Sequence, residues 1–275
     1  MKRIRNYGKN INLIIGSLIL FAVLIMMIVS FFYTPYDVNE MDIANKLQPP
    51  SLVHWFGTDE FGRDIFSRIM VGTQTAFFVG TVSVSIGLIF GVLIGGVSGY
   101  FGGWIDEIIM RIIDALMAFP GIILALMLVA VFGSGMVNTS IALGLMAIPG
   151  IARIARSGFL QSKDAEYVQA AKLMGQTPLR IMTKHILPNV ISPIIVAASI
   201  AFAVAMLAEA GLSYLGLGVQ PPDPSWGRML KDSQGYLVSA PWYTYAPGIV
   251  ITLMVLGFYL LSNAIRDISD PRSRK

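Results

Sequence analysis

Glu209 and Asp114 are ionisable side chains carried inside long apolar runs. A charge placed there is costly enough that function is the first reading. Glu209 lies about 20 residues into its run, roughly 30 Å at 1.5 Å per residue, which puts it near the far end. A carboxylate at that depth either holds a hydrogen bond, within the chain or between subunits, or meets a polar passenger. Asp114 stands near the start of its run, with Arg111 and Arg153 as candidate ion-pair partners. Bond-making chemistry finds no support in the chain. Cysteine is absent, which excludes disulfides, thiolate metal sites and thiol nucleophiles. His54 and His185 are the only histidines and fall in different polar segments. No phosphate-binding G-x-x-x-x-G-K-[ST] loop occurs, nor an H-E-x-x-H or G-x-S-x-G set. No catalytic residue and no metal ligand is assigned.

The elements that carry these residues are membrane spans. The chain has 275 residues, 55% apolar and 13% charged, and the usual charged share of a soluble domain is about 25%. Uncharged runs of this length mark an all-α membrane protein. Six spans are expected, over 11–33, 74–100, 112–132, 136–154, 190–215 and 245–265. Pro120 and Pro149 fall inside spans three and four, either as static kinks or as hinges. Gly87, Gly91, Gly95 and Gly99 recur every four residues on span two, a small-residue packing stripe.

Six spans put both termini on one side. With them go Lys2, Arg3, Arg5, Lys9, Arg111, Arg153, Arg156, Lys163, Lys172, Arg180, Lys184, Arg266, Arg272, Arg274 and Lys275, fifteen of the twenty Lys and Arg residues. Lys46, Arg63, Arg68, Arg228 and Lys231 fall on the other. The bias makes the termini cytoplasmic. The net charge of +4 therefore reads as orientation beside a lipid bilayer, with no call for nucleic acid. The first run is too long, and lacks the cleavage site, for a cleavable signal peptide.

The most informative stretch is the polar island 157–189, SGFLQSKDAEYVQAAKLMGQTPLRIMTKHILPN. Ser162 or Asp164 is expected to cap a helix with Glu166 in its first turn. Ala165, Val168, Ala170 and Ala171 make a small-residue helix open to close approach. Gly175 ends it, and Pro178 opens a second helical segment at its first position. Lys172, Arg180 and Lys184 are either solvated surface or partners for acidic groups. The pattern Gln169-Ala-Ala-x3-Gly175-x9-His185-x-Leu187-Pro188 resembles the EAA loop of ABC-importer permease subunits. It departs from the general consensus in having Gln169 for Glu and His185 for Ile. The EYVQAA and HILPN forms resemble the dipeptide, oligopeptide and nickel branch. Three further blocks, GTDEFGRDIFSR (57–68), GYFGGWIDEIIMRIID (99–114) and AEAGLSYLGLGVQPPDPSWGRML (208–230), are similar to the C-type subunit of that branch.

The resemblance implies a type I importer permease: a membrane anchor and outward segment over 1–73, and a permease core over 74–275 with its coupling loop at 158–189. It implies a heterodimer with a second homologous permease, two cytoplasmic ATPase subunits that hold ATP and magnesium, and an extracytoplasmic solute-binding protein, in a bacterial or archaeal cytoplasmic membrane. The chain itself needs no cofactor and is not an enzyme. Carried over by position, coupling falls to Glu166, Tyr167, Ala170, Ala171, Gly175, His185, Leu187 and Pro188. Peptide is the expected cargo, a nickel or other metal chelate the alternative, and a secondary transporter or scaffold the reading outside this class.

Two segments then face outward. In 34–73, Thr58 is expected to cap an amphipathic interfacial helix with Phe61, Ile65 and Ile69 on one stripe and Arg63, Asp64 and Arg68 off it. In 216–244, Trp226, Trp242 and Tyr243 are expected to anchor at the interface. Trp226, Arg228, Lys231 and Asp232, with Gly227, are then candidate contacts for the binding protein, against the alternative of a lid. Glu209 remains a candidate on the substrate pathway.

Overall fold

The computed structural model describes residues 11–269, with side chains to 265. Ten α-helices account for most of the described residues: α1 (Ile11–Ser30), α2 (Ile65–Phe101), α3 (Gly103–Met117), α4 (Gly121–Phe132), α5 (Met136–Ser162), α6 (Glu166–Leu173), α7 (Pro178–Arg180), α8 (Leu187–Tyr214), α9 (Trp226–Asp232) and α10 (Pro241–Ser269). The terminal basic residues of the charge count, Lys2 to Lys9 and Arg272 to Lys275, lie outside the described residues.

The centre of the bundle is the seam between α2 and α5. A Cβ on Gly87, Gly91, Gly95 or Gly99 would meet, in turn, Ala147, Ile151, the Ala152 carbonyl and the Arg156 carbonyl, at 2.9, 2.9, 2.2 and 2.6 Å. Gly144 on α5 returns the arrangement against Ile86, and the Ser83 hydroxyl donates to the Ser140 carbonyl at 2.9 Å. The predicted stripe is therefore a backbone-to-backbone packing surface.

The seam also fixes the topology. Contacts advance together along both helices, from Ser83–Ser140 to Gly99–Arg156, so α2 and α5 run parallel. The chain between them must travel back over the same depth, about 24 Å for sixteen residues. It does so as α3 and α4, which meet at 87°. Sequence alone read 112–132 as one span, with Pro120 as a static kink or a hinge. The break arises because proline has no N–H and disfavours helical backbone at the residue before it, here Phe119. Accordingly α3 stops at Met117, Pro120 is extended with ψ at 124°, and α4 restarts at Gly121. Pro149 sits within an unbroken α5. With the bent pair counted as one, the described residues hold six segments long and apolar enough to cross a membrane.

The start of α2 also differs from expectation. Thr58 caps no helix. Its hydroxyl donates to the Asn45 carbonyl and accepts from the Gln48 amide. Gly62, at φ +78°, turns the chain where an L side chain is strained, and Asp59 folds back to accept from the Phe61 and Arg63 amides at 2.9 Å. Asp64 is the cap, accepting from the Ser67 amide at 2.7 Å. The helix then runs unbroken for 37 residues through position 73.

Candidate functional site

Two candidate surfaces lie at opposite ends of the bundle, and α8 joins them. At one end, α6 follows α5 through a short turn. Its N-cap residue is Ala165, with no side-chain cap; neither Ser162 nor Asp164 fills that role. The Asp164 carbonyl instead accepts from the Gln169 amide group at 3.0 Å. Val168 and Ala171, three residues apart on one face, are buried with Phe159, Ile181, Ile186, Val190 and Ile194. Gly175 has φ +72° with open space around it, so its role is backbone conformation at the turn that ends α6. Pro178 opens α7 in the first turn. A π-helical segment, Ile181–Ile186, leads into Leu187 and Pro188 at the start of α8. His185 Nε2 lies 2.8 Å from Gln176 Oε1, which ties that segment to the Gly175 turn. Lys172 is exposed; its ammonium reaches the Lys163 carbonyl at 3.4 Å and lies 5.7 Å from the Tyr100 ring.

The outer face of this element is apolar. Leu173, Met174 and Leu179 are 89%, 70% and 71% exposed, beside a half-exposed Tyr167 and the exposed Glu166 and Ala170. Sequence reading missed the three large residues. The available signal was large apolar side chains in a polar segment, off the face that Val168 and Ala171 bury.

Ion pairs brace the same end. Asp106 on α3 takes both Arg156 Nε and Nη2, at 2.5 and 2.6 Å, and the Ser98 hydroxyl. Asp114 pairs with Arg153, as one of the two expected partners, and Arg111 pairs with Glu107.

At the other end, residues 31–64 and 215–240 form an outer layer. His54 Nδ1 lies 2.9 Å from Asp64, and Arg63 binds Asp59 at 2.6 Å. Burial pushes the Glu60 carboxyl above the usual carboxylate range, against the pull of the Tyr243 hydroxyl. The aromatic-belt reading fails for two residues. Trp226 is buried, its indole donating to the Ile69 carbonyl at 3.1 Å, and Tyr243 is buried in the same core cluster. Trp226 is thus a structural anchor with no face for a partner. Gly227 is buried too, since a Cβ there would lie 2.0 Å from the Ala210 carbonyl. Arg228 and Asp232 pair with each other at 3.0 Å and are half-buried, as is Lys231. Among the described residues, no cluster of three or more His, Asp or Glu side chains could hold a metal ion.

Between the Pro120 break, α5 and α8 lies an open apolar cavity of about 570 Å³, lined among others by Met117, Pro120, Met146, Pro149 and Val204. Glu209 is not in its wall. It is 2% exposed and accepts from the Ser213 and Ser225 hydroxyls at 2.6 and 2.8 Å.

A parallel glycine-packed pair, a bent span between its members and a helical element projecting at one end define the fold. Inward-facing structures of the MetNI methionine ABC transporter share it, with TM-scores of 0.60 and 0.58 at 18% identity, over 74% of this chain and 97 to 98% of that one. The chain belongs to the family of binding-protein-dependent transport system inner membrane components, whose model matches residues 87–275. It is 42% identical to the dipeptide transport system permease protein DppC of Alkalihalophilus pseudofirmus, over 97% of this chain and 88% of the relative. It is also 42% identical to the glutathione transport system permease protein GsiD of Pectobacterium atrosepticum, over 91% and 84%.

Proposed function

We propose that this chain forms half of the translocation pathway of an ATP-driven importer for short peptides. It would pair with a second homologous permease, seat two cytoplasmic ATPase subunits on α6 and α7, and receive a loaded solute-binding protein on its outer layer. ATP and magnesium would be held by the ATPases; this chain performs no hydrolysis. The observation that carries the reading is the coupling element. It packs Val168 and Ala171 inward and leaves Leu173, Met174 and Leu179 for a partner. The relatives named for dipeptide and glutathione transport favour a peptide over a nickel chelate. The apolar cavity at the Pro120 break offers side-chain space on such a route.

Cargo is tested by uptake in a strain lacking this chain, comparing dipeptides, tripeptides, longer peptides and nickel. Loss confined to peptides is the expected result; loss of nickel uptake alone overturns the peptide assignment.

The charge distribution supports one orientation. Lys163, Lys172, Arg180 and Lys184 lie in or beside the coupling element, while Lys46, Arg63, Arg68, Arg228 and Lys231 lie at the outer layer. The positive-inside rule then favours a cytoplasmic α6. In this cysteine-free chain, Val238→Cys, at a position 98% exposed, should react with an impermeant thiol reagent in intact cells, or in spheroplasts if an outer envelope intervenes. Thr177→Cys should react only after the membrane is opened. The reverse pattern would overturn both the orientation and the ATPase seat.

A further inference from the structure

We infer that Glu209 is a positioning residue that locks the outer segment 215–236 to the end of α8, so that a load on α9 reaches the coupling element through one helix. The transmission half of this inference rests on the importer reading above; the locking half does not.

The lock is visible bond by bond. Glu209 Oε1 accepts two hydroxyls, from Ser213 one turn later on α8 and from Ser225 immediately before α9. Ser213 Oγ in turn accepts the Val219 amide at 3.0 Å, while the Leu217 and Gly218 amides donate to the Leu212 carbonyl. The loop that leaves α8 is thus folded back on the helix, and a Cβ on Gly218 would lie 2.1 Å from Ser213 Oγ. The far end of the loop is fastened to α2: Thr75 donates to the Pro224 carbonyl at 3.0 Å and Trp226 to the Ile69 carbonyl at 3.1 Å. Gly227 rests on the Ala210 carbonyl, one residue past Glu209. Removing the carboxylate leaves two buried hydroxyls without their acceptor, which is costly.

The other end of α8 supplies the reason for such a lock. Helix α8 runs 28 residues without a break from Leu187, about 42 Å at 1.5 Å per residue. Before it, the π segment buries Ile181 and Ile186 against Val168 and Ala171 of α6. A helix fixed to the outer layer at one end and to the coupling element at the other carries displacement in either direction. A passenger contact fits the same carboxylate less well. The wall of the apolar cavity includes Val204 and Ala205 but stops before Glu209, and both of its donors belong to this chain.

Three variants of the complete complex, reconstituted with its ATPases and binding protein in lipid nanodiscs, test the inference. Glu209→Gln keeps an acceptor oxygen for both serines, Glu209→Ala removes it, and Ser225→Ala removes one donor. Binding-protein stimulation of ATP hydrolysis should fall about fivefold or more in Glu209→Ala with basal hydrolysis unchanged, the size of an ordinary coupling term. Ser225→Ala should lose less, add nothing in the double variant, and Glu209→Gln should retain stimulation. A Val219→Cys reporter, buried in the loop, should react about fivefold or more faster with a thiol reagent in the Glu209→Ala background, through local opening, and at the parental rate in Glu209→Gln. Native stimulation together with native protection in Glu209→Ala overturns the inference. Failure of Glu209→Gln alongside Glu209→Ala overturns the hydrogen-bond basis and leaves charge as the active property. If the unmodified complex shows no stimulation, the importer reading and the transmission half fail, while the thiol rates still decide whether the lock exists.

Discussion

Gly95→Leu is expected to abolish recovery of folded subunit. The α2–α5 seam brings the Ala152 carbonyl to within 2.2 Å of where a Cβ would stand. Overpacking a core typically costs about 1–3 kcal/mol when side chains can shift. Here the obstacle is backbone, with the Arg156 amide and the Ala155 methyl group both at 2.9 Å beside it, so no rotamer change relieves the clash. The helices must separate, and the Gly87, Gly91 and Gly99 contacts open with them. Detergent extraction followed by gel filtration of a fluorescent fusion reads the outcome directly. Gly150→Ala on α5 is the matched control: a Cβ there meets nothing within 4 Å, and its yield should equal that of the parent. A normal elution peak for Gly95→Leu would show that the seam is looser than described.

Leu173→Asp should have the second-largest effect, and at a different level. The side chain is 89% exposed, so the subunit should insert and fold as before. A carboxylate at the centre of the Leu173, Met174 and Leu179 face should then release the ATPase subunits. Loss of an interface anchor costs roughly 2 kcal/mol or more, enough to lower co-purifying ATPase and stimulated hydrolysis more than tenfold. Gly175→Val should weaken coupling through conformation, since φ +72° is a genuine outlier for a β-branched residue. Glu166→Lys puts a cation at the helix N-terminus, where the dipole opposes it. Undiminished ATPase recovery and hydrolysis in all three would remove α6 and α7 from the coupling role.

Much of this was legible in the sequence because it depends on local rules. Apolar run length marked the spans, four-residue spacing marked the seam, and Pro178 marked the start of a helical turn. What was missed depends on contacts between distant segments. Thr58 looks like a helix cap until Gly62 is seen turned against the Asp42 carbonyl, which leaves Asp64 to cap α2. Trp226 and Tyr243 have the composition of an interfacial belt, but the outer layer folds over them and makes them core. Pro120 breaks its span where Pro149 does not. A proline lowers the cost of a break, and the parallel course of α2 and α5 decides that the intervening chain must turn. Glu209 stood out in the sequence as an ionisable residue in an apolar run, and it is buried. Its partner Ser225 lies sixteen positions away, across a loop whose path no periodicity reveals.

The glycine seam also bears on the order in which the bundle comes together. Inside a bilayer, lipid tails solvate a leucine as well as another helix does, so helices gain little from merely covering apolar surface. What remains is close contact, set against the rotamer freedom lost on association. Glycine and alanine have none to lose, whereas longer side chains forfeit up to about 1–2 kcal/mol each. Along the seam Gly87, Gly91, Gly95 and Gly99 face Ala147, Ile151, Ala152, Ala155 and Phe159. With glycine on one side and alanine at three of the facing positions, this pair of helices associates at a reduced entropic cost and is suited to form first. The segment 102–135 is then a closed loop between two fixed posts, and its right-angled path is the shape that closure leaves available.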